Sequence, residues 1–308
     1  MATNKLAANF NRIGVVGRLD SRSVEQSVHR LLLLLNQLGK DYCIEQSLAD
    51  AMPVLDCRSM TRPKLGAWAD LIIVIGGDGT FLGAARDMAQ FEVPMLGINR
   101  GRLGFLTDIM PSQMEQKVST VLDGQFQLEE RFLLQAQIRR DGKVVAEDCA
   151  FNDVVLHPGQ SIRMIEFDLH IDNQFVYSQR SDGLIVSTPT GSTAYALSAG
   201  GPLVHPSMDA LILVPMFPHS LTNRPLVVGA NSHLCIRIGQ QNNIAPHVSL
   251  DAQNHLVLEH GDELHIFRYP QKVKLIHLTD YNYFEICRTK LGWSNKIENS
   301  TEENDNEL

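Results

Sequence analysis

The sequence predicts two architectures in series: an α/β N-terminal domain built on an open parallel sheet, then an all-β sandwich C-terminal domain. Three observations carry this. Up to about residue 125, short apolar runs alternate with stretches whose apolar residues recur at helical spacing. Beyond it the period drops to two, and turn dipeptides such as Asp141-Gly142 separate the strands. The chain has 308 residues, 44% of them hydrophobic, enough for two compact cores.

The elements follow in order. Ile13 to Val16 reads as a strand ending at Gly17. Val24, Val28, Leu31, Leu32, Leu35 and Leu38 share one helical face, with Gly39 placed to end that helix. The unbroken run Leu71-Ile72-Ile73-Val74-Ile75 suits a parallel strand covered on both faces. A glycine-rich turn follows, then a helix over residues 81–89 and a strand over 93–98. Ser112 and Glu115 form a capping box ahead of Met114, Val118, Val121 and Leu122, and Gly124 closes that helix. These units make up residues 1–125. Residues 126–270 form the sandwich, with hairpins at Asp141-Gly142 and Asp172-Asn173. Residues 271–293 form a strand and short helix that return to the first domain. The polar, acidic tail 294–308 has almost nothing to bury and is expected to be disordered.

The net charge of −8 argues against a nucleic-acid partner, because an acidic surface repels the phosphate backbone. No apolar run approaches the length of a membrane span, and residues 1–17 lack the apolar core of a signal peptide. The five cysteines are scattered and odd in number, which fits neither a disulfide framework nor a zinc site. A reducing cytoplasm is the expected location. The eleven histidines show no metal-ligand spacing and read mostly as surface residues.

Four segments carry candidate chemistry. Gly76-Gly77-Asp78-Gly79-Thr80 follows the buried strand and opens a helix. Its glycines let backbone amides approach a phosphate, and the helix dipole favours the anion. Asp78 is the odd element there, since an acid beside phosphates needs a metal bridge or a proton to abstract; the alternative is a plain strand-to-helix turn with Asp78 as N-cap. The stretch DGLIVSTPTGSTAYALSAGG, residues 182–201, offers hydroxyls, amides and an aromatic face with little charge, as a nucleotide or sugar requires. Asp182-Gly183 in isolation reads as a hairpin turn. Asn152-Asp153 pairs an amide with a carboxylate, suited to a ribose diol or an adenine edge, though such pairs are also common in turns. GINRGRLGFLTD, residues 97–108, brings glycines and two arginines to a strand end, either lining a phosphate cleft or packing through Leu103, Phe105 and Leu106.

Taken together and in this order, these segments resemble the bacterial NAD kinase family over residues 13–293; RPLVV at 224–228 adds to the match. GGDGT alone is shared with diacylglycerol and sphingosine kinases. The family usually carries Asn-Glu where this chain has Asn152-Asp153, so the acid here is one methylene shorter. The resemblance implies ATP-dependent phosphorylation of the adenosine-ribose 2′-hydroxyl of NAD, with a divalent cation (Mg or Mn) and a homodimer or homotetramer. It implies Asp78 as the catalytic base and a backbone contact at Gly79. It places Asn152, Asp153, Arg163, Arg180, Asp182, Thr190, Thr193, Ala194, Tyr195, Ala196, Leu197, Ser198 and Gln253 against the substrate. No metal ligand is assigned. A lipid kinase would need a basic amphipathic helix for its membrane, and none is evident. A dinucleotide sensor would have no use for Asp78, and a Rossmann dehydrogenase would open its first helix with G-x-G-x-x-G, which is absent.

Overall fold

The computed structural model describes residues 10–19, 22–52, 57–100, 104–220, 222–242 and 244–293. The expected tail 294–308 lies outside the described residues. The first half runs β1 (Arg12–Gly17), α1 (Arg22–Gln37), β2 (Asp41–Glu45), α2 (Gln46–Ala51), β3 (Ser59–Met60), α3 (Arg62–Trp68), β4 (Leu71–Ile75), α4 (Asp78–Met88), β5 (Pro94–Ile98) and α5 (Met114–Leu122). Its strands lie in the order β5-β4-β1-β2-β3, all parallel. Strand β4 is apolar throughout because both faces are covered. Leu71, Ile73 and Ile75 pack with α1 and α5, whereas Ile72 and Val74 pack with α3 and α4. All five are fully buried, each stabilising the fold by about 1.5–3 kcal/mol.

The second half runs β6 (Gln127–Arg140), β7 (Lys143–Ala150), β8 (Asp153–His157), β9 (Ile165–Ile171), β10 (Gln174–Ser181), β11 (Gly183–Ser187), α6 (Tyr195–Ser198), β12 (Ala210–Met216), β13 (Leu226–Gly229), β14 (Leu234–Ile238), β15 (His247–Leu250), β16 (Asn254–Val257), β17 (Glu263–His277) and α7 (Tyr283–Leu291). One antiparallel sheet has the order β13-β12-β11-β8-β15-β16. It packs on the layer containing β6, β9, β14 and the first part of β17, through a core that includes Val154, Leu156, Leu184, Phe167 and Ile236. Its other face meets Ala196 of α6 through Val155, Ile185 and Ile212.

Strand β17 joins the two halves. Its start pairs with β14 and its end lies parallel to β5, with Leu275 opposite Met95. It passes through residue 270 without a break, so the expected sandwich and return segment share one hydrogen-bonded strand. Gly39 and Gly124 end α1 and α5 in the left-handed conformation, and both predicted hairpins turn through left-handed pairs. Two local readings fail. The capping box does not form, because Glu115 instead pairs with Arg30 of α1 at 2.6 Å and α5 has no side-chain cap. Helix α4 begins at Asp78 rather than Phe81, because the Gly77 carbonyl already accepts the amides of Thr80 and Phe81.

Candidate functional site

Strand β4 ends where Gly76 donates its amide to the Ile98 carbonyl at 2.9 Å. Gly77 caps α4, so Asp78 is the first helical residue and not the N-cap. Its carboxylate accepts hydrogen bonds from the amides of Phe105 (2.9 Å) and Leu106 (3.1 Å) and from Thr107 Oγ1 (3.2 Å). A Cβ at Gly104 would overlap Asp78 Oδ1, so only glycine admits the carboxylate this close to the loop. The loop is itself tied down. Asn99, 1% exposed, donates its amide N–H to Ile109 O at 2.9 Å and Nδ2 to Thr107 O at 3.3 Å. Thus the described part of the GINRGRLGFLTD segment aims Asp78; Gly101, Arg102 and Leu103 lie outside the described residues.

A cleft of ≈ 750 Å³ opens beside this turn, lined by Gly77, Gly79, Thr80, Arg18, Arg62 and Arg100, with Gln253 from the sandwich. Arg62 is held by Glu45 (2.7 Å) and Asp87 (2.6 Å). Glycine amides, a helix N-terminus and guanidinium groups suit a polyphosphate. Gln253 donates Nε2 to Gly79 O at 2.8 Å and accepts Arg86 Nη2 at 2.7 Å, so both ends of its amide are engaged within the protein.

A second cleft, of ≈ 580 Å³, is lined by Asn152, Asp153, Asp182, Ala194, Tyr195, Asp251 and Ala252. The turn joining β15 to β16 holds Asp251 and Ala252 at positive φ, which aims the Asp251 carboxylate inward. That carboxylate accepts the amides of Phe151 (2.9 Å), Asn152 (2.7 Å) and Asp153 (3.2 Å) and lies 3.7 Å from Arg86 Nε. Asp153 is 4% exposed. Burial, and then the neighbouring Asp251 charge, push its carboxyl up to about 7. Burial also raises Asp251, against the pull of its backbone donors and Arg86. Tyr195 stands 50% exposed at this cleft, offering a ring face. Asp251 and Ala252 line this cleft and the next residue, Gln253, lines the first, so one turn borders both.

The hydroxyl-rich loop differs from its sequence reading. Ser187 Oγ donates to Asn152 O at 3.1 Å, Thr188 Oγ1 to Phe151 O at 2.7 Å, and Ser192 Oγ to Pro189 O at 2.6 Å; all three residues are fully buried. Thr193 Oγ1 donates to the carbonyl of buried Thr190 at 3.2 Å. These hydroxyls build the loop rather than face solvent, and close packing of Gly191 on the Asn152 carbonyl explains that glycine. Ala196 is a core residue, Leu197 is half-buried and Ser198 exposed. Asp182-Gly183 makes no hairpin turn: Gly183 opens β11. Arg163 and Arg180 line neither cleft; they meet in a separate hollow with Glu166 on the β9–β10 side.

Sequence reasoning missed Asp251, Arg86, Arg18 and Arg62, which carry no motif of their own. It also missed that His265 and His277 are buried. Among the described residues one group of metal-donor side chains converges, Cys235, Glu263 and His265 on β14 and β17, where Glu263 is already paired with Arg237 at 2.8 Å. Among them, too, no helix is long and apolar enough to cross a membrane.

Known proteins account for this arrangement. Residues 13–126 match the family model described as the ATP-NAD kinase N-terminal domain, and residues 151–278 that of the ATP-NAD kinase C-terminal domain. The NAD kinase of Ectopseudomonas mendocina is 53% identical over 288 residues, 94% of this chain and 98% of the relative. That of Pseudomonas entomophila is 52% identical over 288 residues, 94% of this chain and 97% of the relative. Two solved structures share the fold. Yeast NADH kinase complexed with NADH gives a TM-score of 0.86 at 23% identity, covering 95% of this chain and 90% of that one. An NAD kinase from Archaeoglobus fulgidus in complex with ATP gives 0.72 at 24% identity, covering 92% and 100%. With matched family domains on both halves and close relatives along nearly its whole length, the chain belongs to the NAD kinase family, a family of phosphotransferases.

Proposed function

We propose that the chain transfers the terminal phosphoryl group of ATP to the 2′-hydroxyl of the adenosine ribose of NAD, giving NADP and ADP. The observation that carries this reading is the Asp78 carboxylate, held by three donors in a glycine turn whose Gly77 and Gly79 line a cleft bordered by the same 251–253 turn as a second, aromatic-lined cleft. A ribose hydroxyl is a poor nucleophile at neutral pH, and a fixed carboxylate is the minimal base to take its proton. The 2′-oxygen forms the new O–P bond as the bond from the γ-phosphorus to the bridging oxygen breaks, the electron pair leaving with ADP. The glycine amides and Arg18, Arg62 and Arg100 counter the charge on the transferring group.

The adenosine part of NAD takes the Tyr195 cleft, with Asn152 and Asp153 at its ribose. The cleft by Asp78 presents arginines and glycines rather than a ring of carboxylates, which fits a divalent cation carried in largely by the triphosphate. Such a cation neutralises phosphate oxygens when bound. Arg163 and Arg180 act on a neighbouring subunit's substrate in a homo-oligomer, since they line neither cleft of their own chain. The five cysteines, scattered along the chain and odd in number, support work in a reducing cytoplasm.

Purified protein incubated with NAD, ATP and Mg²⁺ is expected to form NADP without added lipid. Failure to form NADP, or a requirement for a lipid acceptor, overturns the reading.

A further inference from the structure

Asp78 is aimed by the 105–107 segment, and that segment is anchored from the far side of the sheet junction. Asp108, next in the chain, places Oδ2 3.0 Å from His277 Nδ1. His277 ends β17, is 3% exposed, and stacks on Tyr281 with ring centroids 3.8 Å apart. Its Nε2 lies 3.2 Å from Glu129 Oε2, and Glu129 in turn accepts Arg131 Nη2 at 2.9 Å. Antiparallel pairing of β6 with β17 brings these together, setting Glu129 opposite Leu275 and Arg131 opposite Val273.

This cluster is expensive to bury. Asp108 Oδ1, Arg131 Nε, His277 Nε2, Tyr281 OH and Tyr283 OH are buried atoms without a well-aligned hydrogen bond in the protein, His277 Nε2 having only its charge contact with Glu129; they are five of the eight such side-chain atoms among the described residues. Buried polar atoms are normally paired, and an apolar cluster here would cost less. What the cluster achieves is placement, because it attaches the end of β17 to the residue following Thr107.

We propose that His277 is a positioning residue for phosphoryl transfer: its Nδ1–H holds Asp108, and Asp108 fixes the segment whose two amides and one hydroxyl orient the Asp78 carboxylate. This rests on the reading of Asp78 as the base. Asp108, Glu129, Arg131 and Tyr281 surround the imidazole, and the two carboxylates hold it as the donor to Asp108.

Two substitutions separate placement from packing. In His277→Asn the side-chain N–H falls near the position of Nδ1 and keeps the bond to Asp108. In His277→Gln, closer to histidine in size, the amide falls near Nε2 and faces Glu129. The Gln variant is expected to lose kcat by roughly 10–100-fold with the KM for NAD and ATP little changed, because misplacing a reacting group impairs the step and not ground-state binding. The Asn variant is expected to keep most of kcat. Hydrogen exchange of the 105–107 amides is expected to speed up in the Gln variant alone. Equal kcat in the two variants, or a loss confined to KM, overturns the proposal. If His277→Gln does not fold, Asp108→Leu supplies the same readings. If wild-type protein forms no NADP, the functional reading fails by itself, and the brace is still decided by exchange: equal protection in both variants overturns it.

Discussion

Gln253 donates its side-chain amide to the carbonyl of Gly79 across 2.8 Å, which ties the β15–β16 turn of the sandwich to the helix that starts at Asp78. The same side chain accepts from Arg86, which also lies 3.7 Å from Asp251. One amide thus couples the turn that borders the two clefts to the helix that starts at Asp78. Gln253→Ala removes both bonds, but Gln253 is exposed and Arg86 keeps Leu250 and Asp251, so the expected loss of stability is about 0.5–1.5 kcal/mol. kcat/KM should fall for NAD and ATP together. Urea unfolding and steady-state kinetics check this; a stability loss with unchanged kinetics reduces Gln253 to a structural tie.

Asp78→Asn keeps the volume of the carboxylate and removes its basicity. kcat is expected to drop about 10²–10⁴-fold, the usual consequence of losing a general base. NAD affinity by calorimetry should hold, because the Tyr195 cleft is untouched. Near-wild-type turnover would sink the assignment.

Asp153 gives a pH signature. Its folded carboxyl is pushed up to about 7 by burial and the Asp251 charge, from an unfolded value near 3.8. Between these values the folded state binds the extra proton, so its contribution to stability is full below about pH 4 and is lost as pH rises through about 7. Asp153→Asn should flatten the decline in unfolding free energy over that window. If NAD binding draws on the ionised acid, it should tighten as pH rises through 7 in the wild type only. Parallel pH profiles for the two proteins would refute this role.

Tyr195 presents half of its surface at the cleft. Tyr195→Ala should weaken NAD by about 2–10-fold, the range expected for one lost stacking contact, and ATP much less. Equal weakening of both substrates in binding assays would make Tyr195 a packing residue.

Arg163 and Arg180 line a hollow apart from both clefts. If a neighbouring subunit's substrate is their target, specific activity should fall on dilution and NAD should slow the fall by linkage. Arg180→Ala should raise the KM for NAD without altering stability, and deleting residues 294–308 should change none of this. Sedimentation of a fully active monomer at assay concentration would refute subunit completion and leave the kinase assignment standing.

The sequence by itself determined the two architectures, because side-chain period is a local property: β4 is apolar at every residue, whereas Phe167, Leu169 and Ile171 alternate. Turns were legible for the same reason, since Asp141-Gly142 and Asp172-Asn173 need left-handed backbone whatever surrounds them. The GGDGT turn declared itself through glycine spacing. What only the tertiary structure decided is which polar groups meet. Asp251 lies 98 residues from Asp153 in sequence and reaches its amide through a strand pairing, and the hydroxyls of Ser187, Thr188 and Ser192 turned inward to the backbone. The Ser112–Glu115 box lost Glu115 to Arg30, 85 residues away. At Asp251 burial removes water as the alternative acceptor, whereas the exposed Arg30–Glu115 pair wins through two charge-assisted bonds, and no window along the chain contains both members of either pair.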